Sequence, residues 1–205
     1  NRDLSKKAIL WYTDFRNFGT IKFTSDYNEV AKKLQTLGPD LLKTSFITSD
    51  IMERIKKILP RRSSAKIVSV LMDQGKFGIG SGIGNYLVAE ILYEAKISPH
   101  RTMKYLYNHR RVVKRLTYAI KKLFRTCYIN NRTHYITHLG SFLNKHKKRV
   151  KNGKVSNYRN DVVVDDMPFV FKVYRQTKEP SGNKVSTEEI VKGRTTYWVK
   201  ELQKY

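Results

Sequence analysis

Four alternating glycines, Gly78, Gly80, Gly82 and Gly84, run directly into Asn85. Backbone bare of Cβ atoms can take positive φ and admits a bulky ligand close to the main chain. Asn85 stands where a helix should begin, and Asn is a favoured N-cap residue. Behind it Leu87, Ile91, Leu92 and Ala95 recur at helical spacing, which predicts an amphipathic helix stopping before Pro99. A glycine loop entering a helix N-terminus presents unpaired N–H groups and the positive dipole end together, which is anion-binding chemistry. The spacing breaks the G-x-G-x-x-G dinucleotide pattern, and no Gly-Lys-Ser/Thr closes the loop as a P-loop would require. On loop chemistry alone, a tight connection between two helices with no ligand is the competing reading.

The charge balance favours the anion. The 205 residues hold 41 Lys and Arg against 17 Asp and Glu, a formal charge of +24. Such an excess points to a polyanion, and nucleic-acid phosphate is the expected partner. No apolar stretch of roughly 18 residues is present, no signal-peptide pattern opens the chain, and no membrane partner is expected. The single cysteine, Cys127, excludes an internal disulfide and a multi-cysteine zinc site, and reads as a small buried helix residue. His134 and His138 have metal-ligand spacing, but Tyr135 stands where a zinc-protease motif needs Glu, so a surface pair is expected. Asp165-Asp166 lacks the spacing of a calcium loop. No catalytic constellation stands out, no metal or cofactor is expected, and the working class is an intracellular, monomeric nucleic-acid binder.

The elements that would position these groups follow from periodicity. Ala8–Thr13 and Gly19–Phe23 read as strands joined through Asp14-Phe15-Arg16-Asn17-Phe18. Two strands do not make a stable sheet alone, so a β domain with its other strands ahead of Asn1 is expected. Helices are expected over Asn28–Leu37, from an Asp50/Glu53 cap pair to Leu59 before Pro60, and over Ala65–Gln74. A long amphipathic helix is expected over Tyr105–Tyr128. Its buried stripe is Val112, Val113, Leu116, Ile120 and Leu123; Arg110, Arg111, Lys114, Arg115, Lys121, Lys122 and Arg125 lie outside. That face could simply be solvated, but no acid occurs between Arg101 and Asn160, which favours phosphate. Lys145–Lys151 reads as a basic loop that contacts DNA, serves as a nuclear-import signal, or is merely solvated. Phe169–Tyr174 reads as a strand, Glu179–Asn183 as a turn and Arg194–Trp198 as the returning strand.

With these residues in hand, the chain resembles the Fpg/Nei family of DNA glycosylases. Tyr12-Thr13-Asp14-Phe15-Arg16-Asn17-Phe18-Gly19 is similar to its Y-x-D-x-R-x-F-G segment, and Leu37-Gly38-Pro39-Asp40 to its interdomain linker. Leu71-Met72-Asp73-Gln74, then Gly82-Ile83-Gly84-Asn85-Tyr86 through Ser98-Pro99-His100-Arg101, resemble its helix–two-turn–helix signature, with the Asp-Gln pair set a few residues further from Asn85. Val173-Tyr174-Arg175 through Lys178-Glu179-Pro180, and Gly193–Trp198, resemble its zinc finger. The four zinc cysteines would fall at Ser181, Lys184, Val199 and Leu202, so the resemblance is to the zincless finger of eukaryotic and giant-virus Nei-like proteins.

The resemblance implies an α+β chain in three parts. Residues 1–44 would be the end of a β-sandwich domain with its linker, 45–160 a helix–two-turn–helix domain, and 161–205 a zincless-finger hairpin. It implies base-excision repair, with duplex DNA bearing oxidised bases or abasic sites as partner, in a nucleus or a viral replication compartment. Asn85 and Arg194, helped by Tyr174, would grip phosphates flanking the lesion. Phe18 would fill the void left by the flipped base and Arg16 would face the orphaned partner. In the complete protein a terminal Pro amine attacks the sugar, followed by strand cleavage, and oxidised pyrimidines and hydantoins would be the substrates. That Pro, its neighbouring Glu and a β-turn lysine align ahead of Asn1, so no catalytic residue is assigned. The chain as given is expected to bind such DNA without cutting it. The alternative is a non-catalytic DNA- or RNA-binding helix–two-turn–helix protein.

Overall fold

The structure, a computed structural model, describes residues 21–42, 45–134 and 169–205, with only the backbone described over 129–134. The chain divides into two compact units, residues 1–34 and 35–205. Of the first unit, Ile21–Phe23 forms no regular element, and α1 (Tyr27–Gln35) opens after Asp26, whose carboxylate accepts the Asn28 N–H at 2.8 Å. Of the predicted strands, Ala8–Thr13 and the start of Gly19–Phe23 lie outside the described residues, and the described end of the second, Ile21–Phe23, is not in a strand.

The second unit is mainly helical. Helix α2 (Thr48–Arg62) buries Ile51, Ile55 and Ile58, one stripe at helical spacing. It starts two residues earlier than the predicted Asp50 cap, because Asp50 sits in the first turn and its carboxylate accepts the Ile47 N–H at 2.7 Å. It also runs past Pro60. Proline near a helix end removes one backbone bond, and the Arg62 guanidinium on the Asp73 carboxylate at 2.5 Å secures the final turn. Helix α3 (Ile67–Met72) is shorter than predicted and buries Ile67, Val68, Val70 and Leu71.

Helix α4 (Asn85–Ala95) is the axis of the unit. The expected amphipathic stripe is too narrow a description: Leu87, Val88, Ala89, Glu90, Ile91, Leu92 and Tyr93 are all buried. It packs against α3, α6 and the C-terminal hairpin, which enclose its middle on all sides and leave Tyr86 of its first turn exposed. Burying each large aliphatic is worth about 1.5–3 kcal/mol. At its end Lys96 takes φ 58° and its N–H caps the last turn.

The predicted long helix is broken at His109 into α5 (Met103–Asn108) and α6 (Arg110–His134). Thr102 caps α5 through its hydroxyl, which accepts the Tyr105 N–H at 3.2 Å. The stripe Val112, Val113, Leu116, Ile120 and Leu123 is buried as expected.

The sheet among the described residues is one antiparallel hairpin, β1 (Ser186–Val191) with β2 (Arg194–Trp198), joined at Lys192-Gly193. Gly193 takes φ 70°, which the tight turn requires. The returning strand is where the sequence placed it, but its partner is not. Phe169–Tyr174 is no strand: Lys172 to Arg175 form a bend and turn, because their amides have a different acceptor. Glu179–Asn183 is a turn inside a preceding loop and does not join the two strands.

Candidate nucleic-acid interface

The glycine loop divides into a buried and an exposed half. Gly78 and Gly80 are buried. A Cβ on Gly78 would stand 1.8 Å from the Asp73 carbonyl oxygen, so this glycine serves the chain's own packing and not a ligand. Gly82 and Gly84 are exposed, and Gly82 holds φ 98°. Gln74 fixes this exposed half by accepting the Gly82 N–H at 2.6 Å and donating to the Ile83 carbonyl at 2.8 Å. Its own carbonyl accepts the Gly38 N–H at 2.9 Å, and Ser81 N–H donates to Pro39 O at 2.8 Å. The Asp-Gln pair and the Leu37–Asp40 segment therefore brace one loop.

That bracing sets where α4 begins. Gly84 occupies the cap position with φ −94°, and Asn85 is the first helical residue rather than the cap. Its side chain is thereby freed. Asn85 Nδ2 donates to the Thr195 carbonyl of β2 at 3.2 Å, while Oδ1 is buried with no partner among the described residues. An amide nitrogen carries two donors, so one remains beside the unpaired N–H groups of the first α4 turn.

Arg194 is the neighbour of Thr195, is exposed, and forms no ion pair among the described residues. Tyr174 joins the same place through aromatic contacts. Its ring centroid lies 6.2 Å from Tyr86 on α4, 5.1 Å from Tyr197 on β2 and 5.2 Å from Phe171. Burial raises the Tyr86 phenol above its ordinary pKa, keeping it neutral. The Asn85 side chain, the Tyr174 ring and the β2 backbone at Thr195, the residue after Arg194, are thus brought to one helix N-terminus although separate in sequence.

Two carboxylates missed by sequence reasoning build the supports. Glu90, 2% exposed, accepts the backbone N–H groups of Lys172 at 3.1 Å, Val173 at 2.9 Å and Tyr174 at 2.9 Å. Successive amides converging on one anion form a nest, and this is what replaces the expected strand. The signal was a single acid inside the otherwise apolar run Leu87–Tyr93. Cys127 is half-buried rather than buried, packed against the core, and desolvation with a contribution from the Glu90 charge pushes its thiol up to about 12.

Glu179, 3% exposed, accepts the Tyr93 hydroxyl at 2.7 Å, the Asn183 N–H at 3.1 Å and Asn183 Nδ2 at 2.7 Å. The backbone N–H of Ser181 and the Tyr93 hydroxyl hold its carboxyl down at about 2. Around it Ala89, Tyr93, Val173, Val185 and Val199 form a small apolar cluster against which Leu202 packs. Val199 and Leu202, two of the positions aligned with zinc cysteines, are part of that cluster; Ser181 and Lys184 are exposed. Among the described residues no group of His, Cys, Asp or Glu could hold a metal ion.

Other expected contacts fall elsewhere. Arg115, Lys121, Lys122 and Arg125 are half-buried rather than outside, and Lys122 pairs with Glu94 at 2.9 Å. Arg110, Arg111 and Lys114 are exposed as expected. Arg16, Phe18, His138, the His134 side chain and the Lys145–Lys151 run lie outside the described residues.

A family model described as "Formamidopyrimidine-DNA glycosylase C-terminal domain" matches residues 160–204. A formamidopyrimidine-DNA glycosylase of Listeria monocytogenes is 28% identical over 198 residues, covering 95% of this chain and 62% of that protein. Endonuclease 8 of Pectobacterium carotovorum is 33% identical over 95 residues, 46% of this chain and 34% of that protein. The structure of Lactococcus lactis formamidopyrimidine-DNA glycosylase, non-covalently bound to DNA containing an abasic site, aligns with TM-score 0.54 at 18% identity, covering 86% of this chain and 53% of that one. The chain thus spans about three fifths of the length of the curated glycosylases matching nearly all of it. Their mixed architecture of helices with a small antiparallel sheet is the one described above, and over nearly its whole length the chain is similar to DNA glycosylases of the Fpg/Nei family.

Proposed function

We propose that this chain is the DNA-holding part of a base-excision repair glycosylase and AP lyase acting on oxidised bases. The observation that carries the reading is the Asn85–Thr195 bond, which brings the start of β2, where Arg194 precedes Thr195, to the N-terminus of α4, where Tyr174 packs on Tyr86. Free N–H donors, a positive dipole end and an unpaired guanidinium there suit the two oxygens of a backbone phosphate. Duplex DNA with a flipped-out or missing base is the substrate class this reading assigns. The protein's net charge of +24 supports binding to any duplex, and the lesion supplies the kink that brings two flanking phosphates to one site. In the same reading Phe18 and Arg16 occupy the strand gap, and β1–β2 with the Glu179 turn acts as a zincless finger. None of the grip residues is a nucleophile. The bond-breaking groups belong to the whole enzyme, and the chain as given binds without cutting.

The test is a titration of an abasic-site duplex with the wild type, Asn85→Ala, Arg194→Ala and Lys114→Ala. The first two substitutions should each weaken binding by about tenfold or more, and Lys114→Ala by less than about twofold. Equal losses at all three positions would leave a generic basic surface and favour a non-catalytic nucleic-acid-binding protein.

A further inference from the structure

Arg175 holds φ 58°, the left-handed region that a residue bearing Cβ rarely adopts. Unlike Lys96, the other non-glycine residue with positive φ among those described, it does not cap a helix. It is the third residue of a turn closed by the Gln176 N–H on the Val173 carbonyl at 3.1 Å. The strain persists because the turn is over-determined: the three preceding amides are bound to the buried Glu90 carboxylate. The Arg175 side chain gains no internal partner in exchange. It is exposed, makes no hydrogen bond or ion pair among the described residues, and its guanidinium lies 5.5 Å from the Tyr174 ring centroid. A strained backbone, a rigid mount and an unpaired cation facing the aromatic group of the interface describe a side chain held out for an external anion.

We infer that Arg175 is a further phosphate-binding residue, extending the interface beyond Asn85, Tyr174 and Arg194 to a neighbouring backbone phosphate. The Tyr174 face limits the rotamers of the guanidinium, so less freedom is lost on binding. The inference rests on the reading of those three residues as the DNA grip, and the test separates the two.

Binding of the full chain to a duplex carrying a tetrahydrofuran abasic analogue is followed by fluorescence anisotropy across a salt series. Wild type is compared with Arg175→Gly, Arg175→Lys and Arg194→Ala, and each variant is melted. Arg175→Gly should weaken binding about three- to tenfold and reduce the salt slope by about 0.9, the loss of one phosphate contact. Its melting temperature should stay level or rise by a few degrees, about 2–4 °C at most, because glycine accepts this φ freely. Arg175→Lys keeps the charge and should retain most of the affinity. If Arg194→Ala weakens binding and Arg175→Gly does not, the inference about Arg175 is wrong while the grip stands. A lower melting temperature for Arg175→Gly would make its role structural and also overturn the inference. No loss in Arg194→Ala would remove the grip itself, and this extension with it.

Discussion

Asn85 Nδ2 donates to the backbone carbonyl of Thr195 at 3.2 Å, joining residues 110 positions apart. The bond ties the first turn of α4 to the first residues of β2, so the helix N-terminus and Arg194 are presented together. Neither element would place the other alone. The supports behind them, Glu90 and Glu179, make the arrangement testable without touching the interface.

Glu90 is the first. Replacing it with Gln removes a charge that accepts three amides in a buried site and turns an N–H₂ toward donors. Hydrogen bonds to charged groups contribute about 1.5–3 kcal/mol, so Glu90→Gln should lower stability by about that amount in urea unfolding. Because Tyr174 is mounted on the same turn, affinity for abasic duplex should fall too, with the Tyr174 side chain unchanged. Unaltered affinity in a destabilised Glu90→Gln protein would uncouple the nest from the interface.

A pH dependence follows from Glu179. Its folded pKa, held at about 2 by the Ser181 N–H and the Tyr93 hydroxyl, lies below the ordinary value of 4.5. A depressed carboxyl contributes stability that is fully present above its unfolded pKa and is lost as pH falls through the folded one. The urea midpoint should therefore drop between about pH 4.5 and pH 2, and Glu179→Gln should flatten that window while lowering the plateau at neutral pH. An unchanged acid limb in Glu179→Gln would assign acid sensitivity to other groups.

The glycine loop makes a paired prediction. A Cβ at Gly78 would overlap the Asp73 carbonyl, whereas one at Gly84 meets nothing within 4 Å, and φ −94° at Gly84 suits any residue. Gly78→Ala should cost about 3 kcal/mol or more through forced backbone movement, and Gly84→Ala less than about 0.5 kcal/mol. Comparable melting temperatures for the two variants would mean that the Asp73–Gly78 approach is not a tight one.

Cys127 gives a chemical check. Its thiol, raised to about 12 by burial and the Glu90 charge, carries almost no thiolate at neutral pH. It should resist iodoacetamide in the folded protein and react once urea exposes it. Rapid labelling of the native chain would place the thiol in a more open setting.

Local features of this fold were legible in sequence, and non-local ones were not. The Val112–Leu123 stripe, the α4 start near Asn85 and the strand Arg194–Trp198 follow from periodicity and turn chemistry within a dozen residues. Phe169–Tyr174 has strand composition, yet its amide acceptor Glu90 lies 82 positions upstream of Lys172, beyond any local pattern. The Lys192-Gly193 turn was present in the sequence as a glycine between two β-prone runs, but Glu179–Asn183 carries the richer turn composition. Asn85 was identified with a capping role it does not have. Gly84 takes that role because Gln74 fixes the loop before it.

The central claim is that this chain holds damaged duplex through one composite site. The most direct measurement is competition between an abasic-site duplex and the same duplex intact, at one salt concentration, for wild type and the Asn85→Ala/Arg194→Ala double variant. The account predicts that the wild type prefers the abasic duplex by about tenfold or more, and that the double variant loses the preference while keeping weak, salt-sensitive binding. Equal affinity of the wild type for both duplexes, or a preference that survives in the double variant, would contradict it.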